Sequence, residues 1–202
     1  MVLGLVRRAH GGLVRDRRRD VLARVIAELL PEAGQVADVG CGDGAITARV
    51  GALRPQLTIL GLEVEARPEA ELPVTLFDGR TLPLGDRSVD YSLFVDVLHH
   101  TTDAERLLRE ARRVSRRGVL IKDHLAASST ARALLTFMDL VGNPASVAQP
   151  RCYLSEPGWR ALWARVGLAP ARQLVRRLDL YRRPLTYLFD RRLHFVALLE
   201  RR

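Results

Sequence analysis

Apolar residues recur along this chain at two spacings that take turns. Between Asp16 and Leu30, the residues Val21, Leu22, Val25, Ile26, Leu29 and Leu30 return every three to four positions, with arginines on the opposite side, until Pro31 and Gly34 end the pattern. That spacing predicts an amphipathic helix. Gln35 to Val39 is a short apolar run suited to a strand, Ala45 to Leu53 returns to helical spacing and stops at Pro55, and Leu57 to Glu63 is a second strand. Val74 to Phe77 makes a third strand ahead of Asp78-Gly79, and Val89 to Val95 a fourth whose near-continuous apolar character suits a strand covered on both faces. Asp103 to Arg116 gives a helix with Ala104, Leu107, Leu108, Ala111 and Val114 on one side, and Gly118 hands over to a fifth strand, Val119 to Lys122.

Strands alternating with helices predict a mainly parallel sheet with right-handed crossovers and ligands outside the carboxyl ends of its strands. After Lys122 the rhythm changes. Ser128 to Val141 reads as a helix, and the irregular stretch with Gly142, Asn143, Pro144 and Pro150 suits a substrate lid. Ser155 caps a helix whose Trp159, Leu162, Trp163 and Val166 form an apolar stripe, ended by Gly167. Two closing strands, near Gln173 to Tyr181 and Leu193 to Glu200, complete the expected fold. It is an α/β, Rossmann-like three-layer sandwich on a mostly parallel seven-stranded sheet with an antiparallel last strand. A chain of 202 residues suits one domain, with 1–34 as a helical segment, 35–123 as a ligand-binding half and 124–202 as the half that closes the sheet.

The turn between the first strand and its helix reads Asp38-Val39-Gly40-Cys41-Gly42-Asp43-Gly44. Glycines there let a ligand lie against the main chain at the positive end of the helix that follows, which marks a nucleotide-binding turn. Gly40, Gly42 and Ala45 also satisfy the looser dinucleotide fingerprint G-x-G-x-x-A. Length argues against a dinucleotide enzyme, because only 79 residues follow Asp123 and they already carry the strands that finish the sheet.

An ordered set decides among nucleotides. Asp38 with Gly40, Gly42 and Gly44, then Glu63 at the end of strand two, Asp78 after strand three, and Asp96-Val97-Leu98-His99-His100 after strand four resemble the class I S-adenosyl-L-methionine-dependent methyltransferases. Leu82-Pro83-Leu84 before Ser88-Val89-Asp90, with the segment from Asp96 to Thr101, resembles the small-molecule branch that includes ubiquinone-pathway methyltransferases. Glu63 lies 19 residues past Gly44, where an acid at a strand end can accept hydrogen bonds from ribose hydroxyls. The resemblance implies the remaining cofactor contacts. The turn from Asp38 to Gly44, Cys41 included, would hold the methionine end, Val64 and Phe77 would sandwich the adenine, Asp78 and Gly79 would hydrogen-bond it, and Val95 and Asp96 would close the site. Cys41 answers the need for a small residue and is not expected to be a nucleophile.

Methyl transfer from a sulfonium needs alignment, and a base only where the acceptor must lose a proton. Candidates at strand ends are His99 and His100 after strand four, and Asp123 and His124 after strand five, with Asp123-His124 as an acid and an imidazole at the edge facing the acceptor. His100 has the alternative of helping to set up the helix start beside Asp103. Tyr153, Asp139, Asn143 and Arg151 lie where the acceptor would be shaped, without an assigned role. The adenine amino-methylating motif Asn/Asp-Pro-Pro-aromatic is absent, and neither Cys41 nor Cys152 follows a proline as cytosine C5 methylation requires. A small-molecule acceptor is the expected partner.

Composition modifies this picture only at its edges. No apolar run approaches the ~18 residues of a membrane span. The two cysteines have neither metal-ligand nor disulfide spacing, so no metal is expected and the expected location is cytoplasmic. The arginine-rich start, Met1 to Arg19, carries Asp16 and Asp20 and reads as mature sequence. A formal charge of +9 and a pI near 10.8 invite a polyanion. Lys122 is the only lysine, so the excess is an arginine bias. The rival reading, an RNA-directed methyltransferase or nucleic-acid binder, would join Arg7, Arg8, Arg15 and Arg17 to Arg19 with Arg176, Arg177, Arg182, Arg183, Arg191 and Arg192 in a basic surface, with Tyr181 and Tyr187 for stacking. A second rival is a non-catalytic methyltransferase-like partner subunit. The sequence leaves the oligomeric state open.

Overall fold

The alternation along the chain becomes a seven-stranded sheet in the computed structural model, which describes residues 13–142, 152–171, 178–181, 186 and 193–201. Helix α1 spans Leu13–Leu29, followed by β1 Ala33–Val39, α2 Ala45–Leu53, β2 Gln56–Glu63, β3 Val74–Leu76 and β4 Val89–Val95. A 3₁₀ turn at Leu98–His100 leads to α3 Ala104–Val114, β5 Ser115–His124 and α4 Ser129–Gly142. Helix α5 Glu156–Arg165, β6 Leu168–Pro170 and β7 His194–Arg201 complete the order.

The strands lie in the order β3-β2-β1-β4-β5-β7-β6. Pairs from β3 through β5 are parallel, whereas β7 runs antiparallel between β5 and β6. Because side chains alternate along a strand, each central strand feeds two cores. One face joins Phe94, Val119, Ile121, Phe195 and Ala197 to α3 and α5, where Leu107, Leu108, Trp159 and Trp163 are buried. The other joins Leu93, Leu120 and Val196 to Leu22, Ile26 and Val50 of α1 and α2. The three layers and the mostly parallel sheet are those the sequence predicted, and both tryptophans are core residues.

Several boundaries differ from expectation. The fifth strand begins at Ser115, four residues before Val119, so Gly118 lies inside β5 instead of ending a helix. Its register against β4 shifts between Val89 and Tyr91, which pair with Ser115 and Gly118. The strand expected near Gln173 to Tyr181 is corrected. Residues 173–177 lie outside the described residues, Leu178 to Tyr181 form no strand, and the remaining strand is β6, with Leu168 buried against the core. The alternation of Leu178 and Leu180 reflects packing against the α1 side of the sheet, not ladder pairing. Asn143, Pro144 and Pro150 of the expected lid, and Arg151, also lie outside the described residues.

Candidate functional site

Strand order reverses between β1 and β4, so the loops leaving their carboxyl ends part and open a crevice. The glycine turn after β1 lies there. Gly40, Gly42 and Gly44 have φ of +73°, +60° and +71°, a left-handed backbone that a side chain resists. Two of them also have a side chain close by. A Cβ on Gly40 would come within 2.7 Å of Val97 Cγ2, and one on Gly44 within 1.7 Å of Leu72 Cδ2. A Cβ on Gly42 would meet nothing within 4 Å, so the main chain there faces open space. Hydrogen bonds from Gly40 N–H (2.7 Å) and Cys41 N–H (3.2 Å) to the Leu62 carbonyl tie the turn to β2.

Asp38, at the end of β1, is buried. One carboxylate oxygen accepts the Thr47 hydroxyl from α2, while Oδ1 is buried with no partner. Burial pushes its carboxyl up to about 7, against the Thr47 hydrogen bond that favours the anion and with the help of nearby Glu63. Glu63 ends β2, buried, and its Oε2 accepts the Val64 N–H at 2.6 Å. Phe77 N–H donates to the Glu63 carbonyl at 2.9 Å, which brings the segment after β3 alongside, and a Cβ on Gly79 would lie 3.2 Å from Val64 Cγ1. Asp78 Oδ1 accepts from the N–H groups of Arg80 (2.8 Å) and Thr81 (2.6 Å), an Asx turn that holds its carboxyl below the usual range. Cys41 is not a thiolate. Burial, with the charges of Asp38 and Glu63, pushes its thiol up to about 12.

A second group of polar side chains stands at the carboxyl ends of β4 and β5. Asp96 closes β4 with φ +58°, rare for a residue with a side chain. Its carboxylate meets Arg18 of α1 and the buried Lys122 of β5. Burial opposes its charge, but Lys122 and then Arg18 outweigh that and hold its carboxyl well below the usual range. Strand alternation separates Asp123 from its neighbour His124. Asp123 turns toward the 3₁₀ turn, accepting from Leu98 N–H at 3.1 Å and meeting His99 Nδ1 at 2.6 Å. His124 points the other way, its Nδ1 3.0 Å from His194 Nδ1 and its Nε2 3.4 Å from Asp96 Oδ1. Burial and then Lys122 hold the His124 imidazole well below its ordinary pKa. His99 is the opposite case, since Asp123, Asp139 and Asp96 overcome its burial and raise it to about 10. Its ring lies 4.0 Å from that of His100 and 5.4 Å from that of Tyr153, whose hydroxyl donates to Asp139 of α4.

The expected cofactor residues thus gather along the edge from β3 to β4, and the expected catalytic residues beside them. Arg18, Lys122 and His194 were not expected in this site from the sequence. The one available signal was a lysine and a histidine inside apolar strands, Lys122 and His194, which a core tolerates only when paired.

Residues 37–121 match the methyltransferase domain family. Among solved structures the chain is similar to an S-adenosylmethionine-dependent methyltransferase from Thermotoga maritima, a possible histamine N-methyltransferase. That likeness has TM-score 0.70 and 18% identity, over 94% of this chain and 92% of that one. It is also similar to the structure of the Haloferax volcanii Trm112 methyltransferase activator in complex with a candidate methyltransferase (TM-score 0.67, 17% identity, 94% and 95% covered). A methyltransferase of calicheamicin biosynthesis, in its S-adenosylhomocysteine-bound form, aligns with TM-score 0.62 and 21% identity over 91% of this chain and 53% of that one. No curated protein matches the chain in sequence. The agreement reaches the superfamily and does not single out the ubiquinone-pathway branch. Residues 37–121 thus match the methyltransferase domain family, and over most of its length the chain has the fold of S-adenosylmethionine-dependent methyltransferases.

Proposed function

We propose that this chain methylates a small-molecule acceptor seated over the carboxyl ends of β4 and β5. The observation that carries the reading is the unpartnered Oδ1 of buried Asp38 beside the open main chain at Gly42. A buried acceptor without a donor costs about 1–3 kcal/mol, and a ligand ammonium would satisfy it. Asp38 and the turn through Gly40, Cys41, Gly42 and Gly44 then hold the amino-acid end of the cofactor, and Glu63 holds the ribose hydroxyls. Val64, Phe77, Asp78 and Gly79 enclose the adenine, and Val95 and Asp96 border the reacting end. When bound, S-adenosyl-L-methionine supplies a methyl group on a sulfonium for in-line displacement. The chain's own part is to align the acceptor and exclude water, with Asp123, His124 and His100 of the expected catalytic set, together with His99, Asp139 and Tyr153, lining the acceptor side. Two solved structures that resemble the chain are named for histamine methylation and for calicheamicin biosynthesis, both small-molecule settings.

Arginine content lends the nucleic-acid reading little support. Of the arginines that reading names, Arg18 and Arg19 are engaged with Asp96 and Asp43, and Arg17 donates to the Asp179 carbonyl. Arg7, Arg8, Arg176, Arg177, Arg182, Arg183, Arg191 and Arg192, and Tyr187 with them, lie outside the described residues.

Calorimetry with S-adenosyl-L-methionine and S-adenosylhomocysteine tests the reading first. The folded protein is expected to bind both in the micromolar range, and no detectable heat or competition from a folded sample would end it. Transfer of a labelled methyl group to phenol, catechol and amine acceptors, with transfer RNA as the contrasting arm, then separates small acceptors from a polymer.

Asp38 makes the binding pH-dependent with a defined sign. In the free protein its carboxyl titrates near 7, raised from 3.8. Below that pH it carries a proton that must leave before a cationic amino group can settle beside it. Affinity should therefore rise by about tenfold per pH unit up to roughly 7 and level off above it. Calorimetry at pH 6 in buffers of different ionisation enthalpy should report release of close to one proton per cofactor, and Asp38→Asn should abolish the release. The free chain behaves in the opposite sense. Asp38 favours the fold most below its unfolded pKa, and that contribution is lost as pH rises from about 4 to about 7.

A further inference from the structure

Four side chains outside the glycine turn aim donor atoms at one another. His99 Nε2 lies 3.5 Å from Asp139 Oδ2, and His124 Nε2 lies 3.4 Å from Asp96 Oδ1 and 3.9 Å from Asp139 Oδ1. The donor atoms of Asp96, His99 and His124 all fall within 4.8 Å of one another. His99 is buried, and its Nε2 makes no hydrogen bond. We propose that Asp96, His99, His124 and Asp139 bind one divalent transition-metal ion, with zinc(II) the best fit.

Geometry is the first argument. Metal bonds of about 2.0–2.1 Å to imidazole nitrogen and carboxylate oxygen place the ligand atoms of a tetrahedron about 3.4 Å apart. His124–Asp96 at 3.4 Å and His99–Asp139 at 3.5 Å match that edge, Asp96, His99 and His124 form one triad within 4.8 Å, and Asp139, whose other oxygen is 3.9 Å from His124, is the ligand that must turn to join it.

The outer partners are the second argument. A metal-bound imidazole usually gives its other nitrogen to a carboxylate or another fixed group, which orients the ring. His99 Nδ1 meets Asp123 at 2.6 Å and His124 Nδ1 meets His194 at 3.0 Å, leaving both Nε2 atoms turned toward the same space. The carboxylate ligands are supported as well, Asp96 by Lys122 and Arg18, and Asp139 by the Tyr153 hydroxyl. Each carboxylate oxygen keeps a second lone pair, so these bonds do not consume its capacity to ligate.

Charge is the third. Asp96, Asp123 and Asp139 exceed Arg18 and Lys122 by one, a charge that protonated His99 balances in the free protein and that a bound ion would balance in its place as His99 gives up its proton to ligate. Mixed imidazole and carboxylate donors suit zinc, cobalt or manganese, whereas calcium and magnesium favour all-oxygen sites. Three ligands stand on the sheet edge or the 3₁₀ turn and the fourth on α4, so the ion would pin α4 to the edge where the acceptor is proposed to sit.

The test uses the tag-free full chain carrying Cys152→Ser, which removes an exposed thiol, after dialysis against a chelator. Cobalt(II) is added and followed by its visible absorption, and zinc(II) is then added in competition. One cobalt per chain, with the intense bands of four-coordinate geometry and displacement by one equivalent of zinc, is the expected result. His124→Ala should abolish the bands, and Asp123→Asn should weaken cobalt binding by about 10–100-fold through loss of the outer partner. Calorimetry with S-adenosylhomocysteine reports separately on each sample's fold and cofactor site. Parent protein that binds S-adenosylhomocysteine but shows no four-coordinate cobalt spectrum overturns the metal site, as do bands unchanged in His124→Ala. Bands present without S-adenosylhomocysteine binding support the metal site and count against the cofactor reading.

Discussion

Replacing Glu63 with alanine is expected to weaken binding of S-adenosyl-L-methionine and S-adenosylhomocysteine by 100-fold or more. The carboxylate is already positioned, since it sits buried at the end of β2 with Oε2 held by the Val64 N–H at 2.6 Å. Little rotamer entropy remains to be lost when hydroxyl donors arrive. Each hydrogen bond to a charged acceptor contributes about 1.5–3 kcal/mol, so two ribose hydroxyls account for about 3 kcal/mol at least. At 1.4 kcal/mol per tenfold, that is at least about two orders of magnitude in Kd. Alanine also leaves the Val64 N–H without its acceptor, so far-ultraviolet circular dichroism should confirm an intact fold before binding is compared. Glu63→Gln keeps the shape and one acceptor oxygen, and should lose less, about tenfold. Calorimetry decides, and a Glu63→Ala protein within threefold of the parent would remove Glu63 from the site.

How far such a site could be read without coordinates depends on whether its residues are neighbours in sequence. The proposed cofactor edge was legible because each of its residues is local to a strand end: Asp38 and its glycines stand at the end of β1, Glu63 ends β2, and Asp78 follows β3. Alternating strands and helices fix the order in which those ends line up, so placing the strands places the residues. The acid and imidazole group was not legible in the same way. Asp96 and His99 share one segment, but Arg18, His124, Asp139, Tyr153 and His194 come from others, and only the antiparallel return of β7 brings His194 beside His124. Adjacency even misleads there. Asp123 and His124 are consecutive, yet the pleat sends them to opposite faces, and Asp123 pairs instead with His99 from 24 residues away. Cysteine spacing pointed away from metal, and it carries no information about histidines that tertiary structure assembles. The closing strand was misplaced for a related reason. An alternating apolar pattern reports one buried side, and in Leu178 and Leu180 that side packs on the α1 core without entering the sheet.

Gly118 was read as a helix end, and its actual place predicts the largest effect on stability. It lies in β5 between two neighbours, opposite Tyr91 of β4 and Glu200 of β7. Three residue steps of β5, from Ser115 to Gly118, oppose two steps of β4, from Val89 to Tyr91, so the strand carries an extra residue just where β7 closes in. A Cβ on Gly118 would stand 2.1 Å from the Leu199 carbonyl oxygen and 3.4 Å from Tyr91 Cε1. The nearer obstacle is backbone in a buried ladder, which cannot rotate aside as a side chain does. Relief requires β7 to move off β5, and with it Phe195, Ala197 and Leu199 from one core and Val196 and Leu198 from the other. Gly118→Ala should therefore destabilise the protein by about 3 kcal/mol, near the upper range for overpacking. Gly51 in α2 supplies the control. A Cβ there finds its nearest neighbour, Ile59 Cδ1, at 3.9 Å, so Gly51→Ala should stabilise by about 0.5–1 kcal/mol through helix propensity. Urea denaturation followed by tryptophan fluorescence measures both, since Trp159 and Trp163 are buried against Phe195 of β7. A Gly118→Ala midpoint equal to that of the parent would mean that β5 and β7 do not approach as closely as the ladder requires.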